Sequence, residues 1–172
     1  MVVYKEVFLG LGGNIGDTRM ILELTLEDIA AIPGTIEVTS SSFYKTAPVS
    51  DIPQDDYINA VCRCKTALPV MEFSEQLRRI ETQHGKMVKP KNYPRTIDID
   101  ILFFGNETYC KHDLEIPHPR WKERLFVLVP LKDLVDTIAI GQDVFDVAKL
   151  IEAFPRAERE FNIEEIYAPH SN

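Results

Sequence analysis

Hydrophobic residues follow a helical period near the start of the chain, after a short apolar run. Residues 7–11 form that run, which is typical of a buried strand. Apolar residues then recur at i, i+4 and i+7, the spacing of one helix face: Leu22, Leu26 and Ile29. Asp17 or Thr18 can cap this helix, and Pro33 with Gly34 ends it. The pattern therefore predicts a strand followed by a helix.

Two further strands and a second helix follow. Residues 35–46 are rich in β-branched residues and serine, which predicts a second strand. Residues 57–66 predict a third strand, in which alternate side chains share a face. Its core face carries Ile58, Ala60, Cys62 and Cys64, and its other face carries Tyr57, Asn59, Val61 and Arg63. Pro69 opens a helix that Gly85 closes, with an apolar face of Phe73, Leu77 and Ile80.

A fourth strand at 94–104 completes the order β-α-β-β-α-β. This order predicts an α+β fold of the ferredoxin-like kind, with the helices on one face of an antiparallel sheet. We expect C-terminal additions beyond it. They are a short strand pair around Gly105 and Asn106, an apolar stretch at 125–131, a helix at 146–154 and brief strand pairing at 161–163.

Length and composition are those of one globular domain spanning residues 1–172. Hydrophobic residues make up 45% of the chain, and the net charge of −8 argues against nucleic acid as a partner. No apolar run approaches a membrane span, and the N-terminus lacks the organisation of a signal peptide. Three cysteines do not form a disulfide framework, so we expect core packing for Cys62 and Cys64 in a cytoplasmic protein.

Two carboxylates lie on one face of the fourth strand. Asp98 and Asp100 are two residues apart and point to the same side, whereas Ile97, Ile99 and Ile101 point to the other. Adjacent carboxylates repel each other, so a cation has to offset that repulsion. Carboxylate oxygens with substrate phosphates are the usual ligands of Mg²⁺. The alternative is a solvent-facing strand with two acids, and the neighbouring Arg95 favours a polyphosphate site instead.

A basic loop precedes this strand. It carries four cations in a chain that is otherwise acidic: Lys86, Lys89, Lys91 and Arg95. A charge run is usually a solvated surface, but this one leads directly into the Asp-x-Asp strand. We therefore predict that residues 86–93 form a lid that is poorly ordered without ligands and closes over a triphosphate.

Several other polar and aromatic side chains are candidates for ligand contacts. His118 lies between two prolines, and with Arg124 it can donate to phosphate oxygens. Glu81 is either a surface acid or a partner that orients one of the cations. Tyr57 and Asn59 suit a planar ligand with an amide-like edge, and a stacking face can come from Phe126.

The glycine-rich turn at 10–16 lies between a strand and a helix. It does not fit the G-x-G-x-x-G dinucleotide fingerprint, which needs a following βαβ unit. Two interpretations stay open: a tight turn with a helix cap, or a turn that brings backbone close to a ligand.

Taken in order, these segments resemble the 6-hydroxymethyl-7,8-dihydropterin pyrophosphokinase family. The resemblance covers about 8–134, leaving 135–172 as a C-terminal extension. The matching pieces are 9–17, 42–49, 56–60, 79–81 with Gly85, 94–102, and 116–120 with 123–124 and 126–131. Six collinear matches make the identification strong, and the arginine-to-aspartate strand followed by Pro-His-Pro is the most specific of them.

The resemblance implies transfer of pyrophosphate from ATP to 6-hydroxymethyl-7,8-dihydropterin, giving AMP and the pterin diphosphate in folate biosynthesis. Asp98 and Asp100 would hold two Mg²⁺ ions. The implied polyphosphate-binding and catalytic residues are Lys86, Arg95, His118 and Arg124, with Glu81 at the nucleotide and Ile101 near its adenine. The implied pterin pocket consists of Thr46, Pro48, Val49, Tyr57, Asn59 and Phe126. ATP and the pterin are the expected partners, and a monomer is expected.

The chain departs from the family pattern at the lid. Family members often have Arg-Trp-Gly-Pro-Arg before the metal strand, whereas this chain has Asn-Tyr-Pro-Arg at 92–95, about one residue shorter. Tyr93 is therefore expected to replace the stacking tryptophan only in part.

Two other classes of function remain as alternatives. A different Mg²⁺ enzyme, such as a nucleotidyltransferase or phosphohydrolase, would use the same carboxylates but not the Tyr-x-Asn and Pro-His-Pro segments. A non-catalytic RNA-recognition domain of ferredoxin-like fold would need stacking aromatics on its central strands, and these are missing.

Overall fold

The structure is a computed structural model that describes residues 1–169, without the side chain of Phe161. The end of the expected C-terminal extension, 170–172, lies outside the described residues. In chain order the elements are β1 (Lys5–Gly13), α1 (Thr18–Ala30), β2 (Thr35–Ser40), β3 (Phe43–Thr46), β4 (Tyr57–Thr66), α2 (Val70–Gln83), β5 (Asp98–Phe104), β6 (Tyr109–Lys111), β7 (Leu114–Ile116), α3 (Leu125–Lys132), β8 (Thr137–Ile140), β9 (Asp143–Asp146), α4 (Val147–Glu152), α5 (Arg156–Phe161) and β10 (Ile163–Tyr167).

The main sheet runs in the order β10-β3-β4-β1-β5, with β2 also paired to β4. Each of these pairings is antiparallel, and β1 lies between β4 and β5. Apart from the added β10, this is the strand order of a ferredoxin-like fold, so the predicted α+β class is confirmed.

The predicted second strand is divided into β2 and β3. Both parts pair with β4, and the interruption falls at Ser41 and Ser42. The backbone N–H of Ser41 still donates to the Val61 carbonyl at 2.8 Å, but the Ser41 hydroxyl, and not a backbone carbonyl, accepts from the N–H of Val61 at 2.9 Å. The prediction of one continuous strand was wrong because the sequence pattern does not show this irregularity.

Helices α1 and α2 cover the first face of the sheet as predicted. Asp17 caps α1 by accepting from the N–H of Met20 at 3.1 Å, and Gly85 follows the end of α2 with a φ of +84°. The buried side chains on this face include those of the two predicted helix stripes: Leu22, Ile29, Phe73, Leu77 and Ile80. His84 Nε2, directly after α2, lies 2.6 Å from Asp28 Oδ2 of α1 and links the two helices.

The second face of the sheet is also covered, which corrects the expectation of helices on one face. Val61, expected on the face away from the core, is fully buried in a second apolar cluster built mainly from the C-terminal additions. A register shift between β1 and β5 pairs Phe8 with Phe103 and Leu9 with Ile101. This bulge directs both Leu102 and Phe103 into the second cluster, whose other members include Trp121, Val127, Leu128 and Leu131.

Other C-terminal predictions need smaller corrections. The short strand pair is β6 and β7, so its turn lies at 112–113 and not at Gly105. The apolar stretch at 125–131 is most of α3, and Asp146 caps α4 by accepting from the N–H of Lys149 at 3.0 Å. Strand pairing begins at Ile163, because residues up to Phe161 belong to α5. Within residues 1–169, no helix combines the length and apolar character that a membrane span requires.

Candidate active site

A cleft of about 260 Å³ opens at the end of the sheet where β1 runs into its glycine turn. The β3–β4 loop, the loop before β5 and the start of α3 form its walls. Most of the side chains predicted for the site line it: Thr46, Pro48, Val49, Tyr57, Asn59, Tyr93, Arg95, Asp98, Asp100, Arg124 and Phe126. Residues far apart in the sequence are thus gathered around one cavity.

Asp98 and Asp100 both face this cleft, as the period of two predicted. β5 pairs Asp98 with Gly12 and Asp100 with Gly10, so the carboxylates stand beside the glycine end of β1. The pKa of Asp100 is raised, chiefly by desolvation from the protein atoms around it and also by the negative charge of Asp98, although its side chain is open to solvent in the cleft. The two acids therefore form a centre of unfavourable negative charge, which attracts cations.

Lys86 supplies the nearest cation and is held in place by Glu81. Its Nζ lies 2.8 Å from Glu81 Oε1 and 2.9 Å from Asp98 Oδ1. Glu81 is 6% exposed, and the same Oε1 also accepts from the backbone N–H of Ile99 at 2.6 Å. Burial is the main cause of the raised pKa of Glu81, and the bonds to Lys86 and Ile99 oppose that rise. Glu81 lies beneath the cleft and orients Lys86, which favours the second of its two sequence interpretations.

His118 and Arg124 are close enough to Asp100 for their charges to lower its pKa. Desolvation is the largest cause of the lowered pKa of His118, the charges of Arg124 and Arg120 lower it further, and the charge of Asp100 opposes them. The backbone N–H of Arg120 donates to His118 Nδ1 at 3.1 Å, which leaves the other ring nitrogen for a different partner. Arg124 lines the cleft, and its guanidinium lies 5.5 Å from the ring centre of Phe126.

Asn59 and Thr46 form a polar pair at the opposite wall. The Asn59 amide nitrogen donates to Thr46 Oγ1 at 2.7 Å, and both side chains are buried. A Cβ on Gly12 would collide with Asn59 Oδ1. The first interpretation of the glycine turn, a tight turn with a helix cap, is confirmed, since Gly12 and Gly13 pack against Asn59 and the Thr96 backbone and Asp17 caps α1. Close approach of this turn to a ligand stays a prediction.

Tyr57 and Tyr93 connect this wall to the predicted lid. The Tyr57 hydroxyl donates to the backbone oxygen of Tyr93 at 3.2 Å, and the pKa of Tyr57 is raised by burial and by the charge of Asp98. Ser50 and Gln54 donate to the backbone oxygen of Asn92 at 3.2 and 2.9 Å. The lid loop thus lies against the β3–β4 loop. The expected disorder of the lid without ligands stays a prediction.

Asn14 is a functional anchor that the sequence reasoning missed. Its side-chain oxygen accepts from the backbone N–H of Arg95 at 2.9 Å, and its backbone N–H donates to the Arg95 carbonyl at 2.8 Å. Its amide nitrogen donates to Gln54 Oε1 at 2.9 Å. Asn14 thereby fixes both loops that border the cleft. Its position directly after Gly12-Gly13 was the available signal, since a polar residue there is placed close to neighbouring backbone.

Four predicted site residues do not line the cavity: Glu81, Lys86, Ile101 and His118. Lys86 and His118 still act on its two carboxylates, and Glu81 acts through Lys86. Ile101 is buried in the core beneath the sheet, on the opposite face from Asp100. Because the side chain of Ile101 points away from Asp100, the backbone of Ile101 would have to make the predicted contact with an adenine. That contact stays a prediction.

The donor set at the carboxylates suits a metal that is partly ligated by its substrate. Within residues 1–169, no group of three or more histidine, cysteine, aspartate or glutamate side chains is arranged to hold a metal ion. Asp98 and Asp100 alone supply carboxylate oxygens, and Mg²⁺ is commonly bound by one or two carboxylates together with phosphates and water. The residues present therefore fit Mg²⁺ that arrives with a polyphosphate.

Comparison with known sequences identifies the relatives of the chain. Residues 8–136 match the family model of 7,8-dihydro-6-hydroxymethylpterin-pyrophosphokinase. The chain is 33% identical over 147 residues to the 2-amino-4-hydroxy-6-hydroxymethyldihydropteridine pyrophosphokinase of Haemophilus influenzae, covering 86% of this chain and 91% of that protein. It is 37% identical over 136 residues to the protein of the same name from Methylorubrum extorquens, covering 79% and 86% of the two chains.

Solved structures share the fold. The wild-type HPPK-DHPS protein of Plasmodium falciparum with SDX-DHP superposes with a TM-score of 0.72 at 15% identity. The match covers 95% of this chain and 47% of that one, so this chain spans about half the length of the structure it resembles.

Proposed function

The chain belongs to the 7,8-dihydro-6-hydroxymethylpterin-pyrophosphokinase family, and we propose that the cleft between Asp98 and Asn59 is where it carries out the family's reaction. It is an ATP-dependent pyrophosphokinase of folate biosynthesis, which transfers pyrophosphate from ATP to 6-hydroxymethyl-7,8-dihydropterin. The products are AMP and the pterin diphosphate. The other Mg²⁺ enzymes and the RNA-recognition domain, considered above as alternatives, are therefore set aside.

One observation carries the assignment of the site. A pair of carboxylates with cations around it and a buried amide–hydroxyl pair face the same cavity. The first pair suits a metal-bound polyphosphate, and the second suits the polar edge of a planar ring. A transfer between ATP and a pterin needs both of these in one cleft.

We assign Asp98 and Asp100 as the ligands of two Mg²⁺ ions. When bound, the ions would neutralise phosphate oxygens and polarise the attacking hydroxyl. In the reaction a bond forms between the hydroxymethyl oxygen of the pterin and the β-phosphorus of ATP. The bond from that phosphorus to the oxygen bridging the α-phosphorus breaks, AMP leaves, and the hydroxyl proton is released.

The cationic side chains position and stabilise the polyphosphate. Lys86 and Arg95 lie next to Asp98, and the charges of His118 and Arg124 act on Asp100. Phosphoryl transfer depends mainly on positioning and charge neutralisation, because the protein supplies little covalent chemistry. Glu81 orients Lys86 and is a positioning residue.

Pterin recognition is assigned to the opposite wall. Asn59 and Thr46 would pair with the polar ring edge, and Phe126 would supply a stacking face. Tyr57 and the wall at 48–49 close the sides of the pocket. The lid loop, with Tyr93 in place of the family tryptophan, would exclude water, which is the competing acceptor for the pyrophosphoryl group.

We further propose that residues 1–172 act as one domain and as a monomer in the cytoplasm. Most of the side chains named for the site line one cleft, which supports a single domain, and the three cysteines are free thiols.

Product analysis tests the proposed function and its site. The protein is incubated with ATP and Mg²⁺, with and without 6-hydroxymethyl-7,8-dihydropterin, and nucleotides and pterins are separated by chromatography. We expect AMP and the pterin diphosphate only when the pterin is present, and loss of both products in Asp100→Asn. Formation of AMP without the pterin, or near-normal activity in Asp100→Asn, would contradict the proposal.

A further inference from the structure

The C-terminal strand β10 lies outside the part of the chain that matches the family model. The match ends at residue 136, whereas β10 spans Ile163–Tyr167 and joins the edge of the main sheet. β10 runs antiparallel to β3, with Ile163 opposite Thr46 and Glu165 opposite Tyr44. A segment that the family model does not cover is thus attached to the strand that leads into the cleft.

β3 is short and carries part of the proposed pterin pocket at its end. It has four residues, and its register with β4 consists of Tyr44 opposite Asn59, Lys45 opposite Ile58 and Thr46 opposite Tyr57. Thr46 Oγ1 accepts from the amide of Asn59, and the wall of the cleft continues directly from Thr46. A small shift of this strand end would move the Asn59 amide and the wall together.

The two ends of β3 are held differently. At the start, Phe43 is fully buried, and the Tyr44 hydroxyl donates to Asp133, the residue directly after α3, at 2.8 Å. At the Thr46 end, backbone pairing comes from β4 on one side and from Ile163 of β10 on the other. Without β10, the strand end beside the cleft would be a free sheet edge, and such edges are mobile.

Side chains fasten β10 to the rest of the molecule. The ring of Tyr167 packs against Phe43 with centroids 5.2 Å apart, and the guanidinium of Arg19 lies 3.7 Å from the Tyr167 ring centre. Glu164 forms an exposed ion pair with Lys45 at 3.5 Å. β10 is therefore anchored at both ends of its pairing with β3.

We propose that β10 is a positioning strand for pterin recognition, which fixes Thr46 and Asn59 in the geometry that binds the pterin. This inference rests on the proposed function. Among the described residues, the side chains of β10 contact Phe43, Arg19 and Lys45 and not Asp98, Asp100 or Lys86, so the strand contributes to pterin binding and not to nucleotide binding. Preorganised polar groups bind a ligand more tightly, because less ordering is left to be done on binding.

Paired proline and alanine variants of the full chain test this role. Successive backbone N–H groups of a strand point to opposite sides, so one of the donors of Glu164 and Glu165 faces β3. Glu164→Pro/Glu165→Pro removes both donors, whereas Glu164→Ala/Glu165→Ala keeps them and removes the same charges. Both side chains are exposed, so neither change opens the core. The alanine variant is the matched control.

The readouts separate positioning from general stability. Hydrogen exchange measures protection of the β3 amides, with the α1 amides as an internal reference for the rest of the fold. Fluorescence titration measures the Kd for 6-hydroxymethylpterin at saturating Mg²⁺ and a non-hydrolysable ATP analogue, and calorimetry measures the Kd for that analogue. For the proline variant we expect lost protection in β3 and a Kd for the pterin raised about three- to tenfold, the effect of one weakened hydrogen bond. The Kd for the nucleotide should match that of the alanine variant.

Each contrary result has a defined meaning. Retained protection of the β3 amides in the proline variant would overturn the role of β10 in holding β3. Lost protection with an unchanged Kd for the pterin would overturn the link to recognition, and so would an equal rise in the Kd for the nucleotide. Failure of the wild-type chain to bind the pterin would overturn the proposed function and this inference with it.

Discussion

Replacing Lys86 by methionine should destabilise the protein although Lys86 belongs to a solvent-accessible loop. The substitution keeps most of the aliphatic length and removes the ammonium that lies 2.8 Å from Glu81 and 2.9 Å from Asp98. Glu81 is only 6% exposed, so its carboxylate would keep the N–H of Ile99 and lose its one cationic partner. Leaving a buried polar group without its partner costs about 1–3 kcal/mol and a charged group more, and we use this range because the Lys86 side chain is 30% exposed and water can partly replace it.

The contact with Asp98 adds less to this free energy. The side chains of Lys86 and Asp98 are 30% and 35% exposed, so solvent screens their attraction, and such pairs contribute about 0–1 kcal/mol. We therefore expect a loss of about 1–3 kcal/mol in the free energy of unfolding, most of it from Glu81. Urea denaturation at neutral pH measures this loss. Lys89→Met is the matched control, because Lys89 Nζ lies in the same loop and donates only to the carbonyl of Pro94, at 3.3 Å.

The pH dependence gives this prediction a definite sign. Burial raises the pKa of Glu81 above its ordinary value of 4.5, and Lys86 opposes that rise. A carboxyl with a raised folded-state pKa destabilises the fold while it is ionised, and protonation relieves this as the pH falls through that pKa. Removing Lys86 should raise the pKa further, so the stability difference between Lys86→Met and wild type should shrink on acidification from neutral pH.

Two outcomes would refute this reasoning. Equal stability losses in Lys86→Met and Lys89→Met would mean that Glu81 does not depend on Lys86. A stability difference that widens on acidification would mean that Glu81 is not the buried charge responsible. In a double-mutant cycle with Glu81→Gln, the combined loss should be smaller than the sum of the single losses, because the two groups share one interaction.

Three further predictions concern the cleft. Asp100→Asn should abolish turnover, because it removes a proposed metal ligand, and an activity assay measures this. The variant should be equally or more stable at neutral pH, because the raised pKa of Asp100 indicates an unfavourable charge, and urea denaturation measures this. Asn59→Ala should weaken pterin binding by about 1–3 kcal/mol with little change in nucleotide affinity. Gly12→Ala should also weaken pterin binding, because the added methyl group would displace the Asn59 amide. An equal fall in nucleotide affinity would contradict both predictions. Residues 86–93 should gain hydrogen-exchange protection when ATP analogue and pterin bind together, and equal protection in both states would exclude a closing lid.

Local sequence patterns were sufficient to predict the elements whose hydrophobic residues repeat with a single helical or strand period. The helix faces of Leu22 and Phe73 repeat at helical spacing, and both side chains are fully buried as expected. Alternation along β5 placed Asp98 and Asp100 on one side and Ile99 on the other, and the structure has the same arrangement. These features depend on neighbours within a few residues, so the sequence contains the information directly.

The features that the sequence did not reveal depend on distant partners. Val61 was expected away from the core because alternation cannot show that α3 packs on the second face of the sheet. Phe103 joins that cluster through a bulge that has no marker in the sequence, because unbroken alternation would place Leu102 but not Phe103 on the side of Asp100. The hydrogen bonds between Asn14 and Arg95 link residues far apart in the chain, so neither residue identified the other in advance.

In the proposed site, the charges that the fold has to accommodate are the ones assigned to the reaction. Asp98 and Asp100 repel each other on one strand face, and the positive charges of Lys86 and Arg124 reduce that repulsion. A metal-bound polyphosphate brings its own cations to the carboxylates, so these two basic side chains then face the phosphates. The cations are therefore in position before the substrate arrives, and little protein reorganisation is left for the transition state. On this argument, Glu81 influences catalysis without touching a ligand, because it determines where the Lys86 ammonium lies.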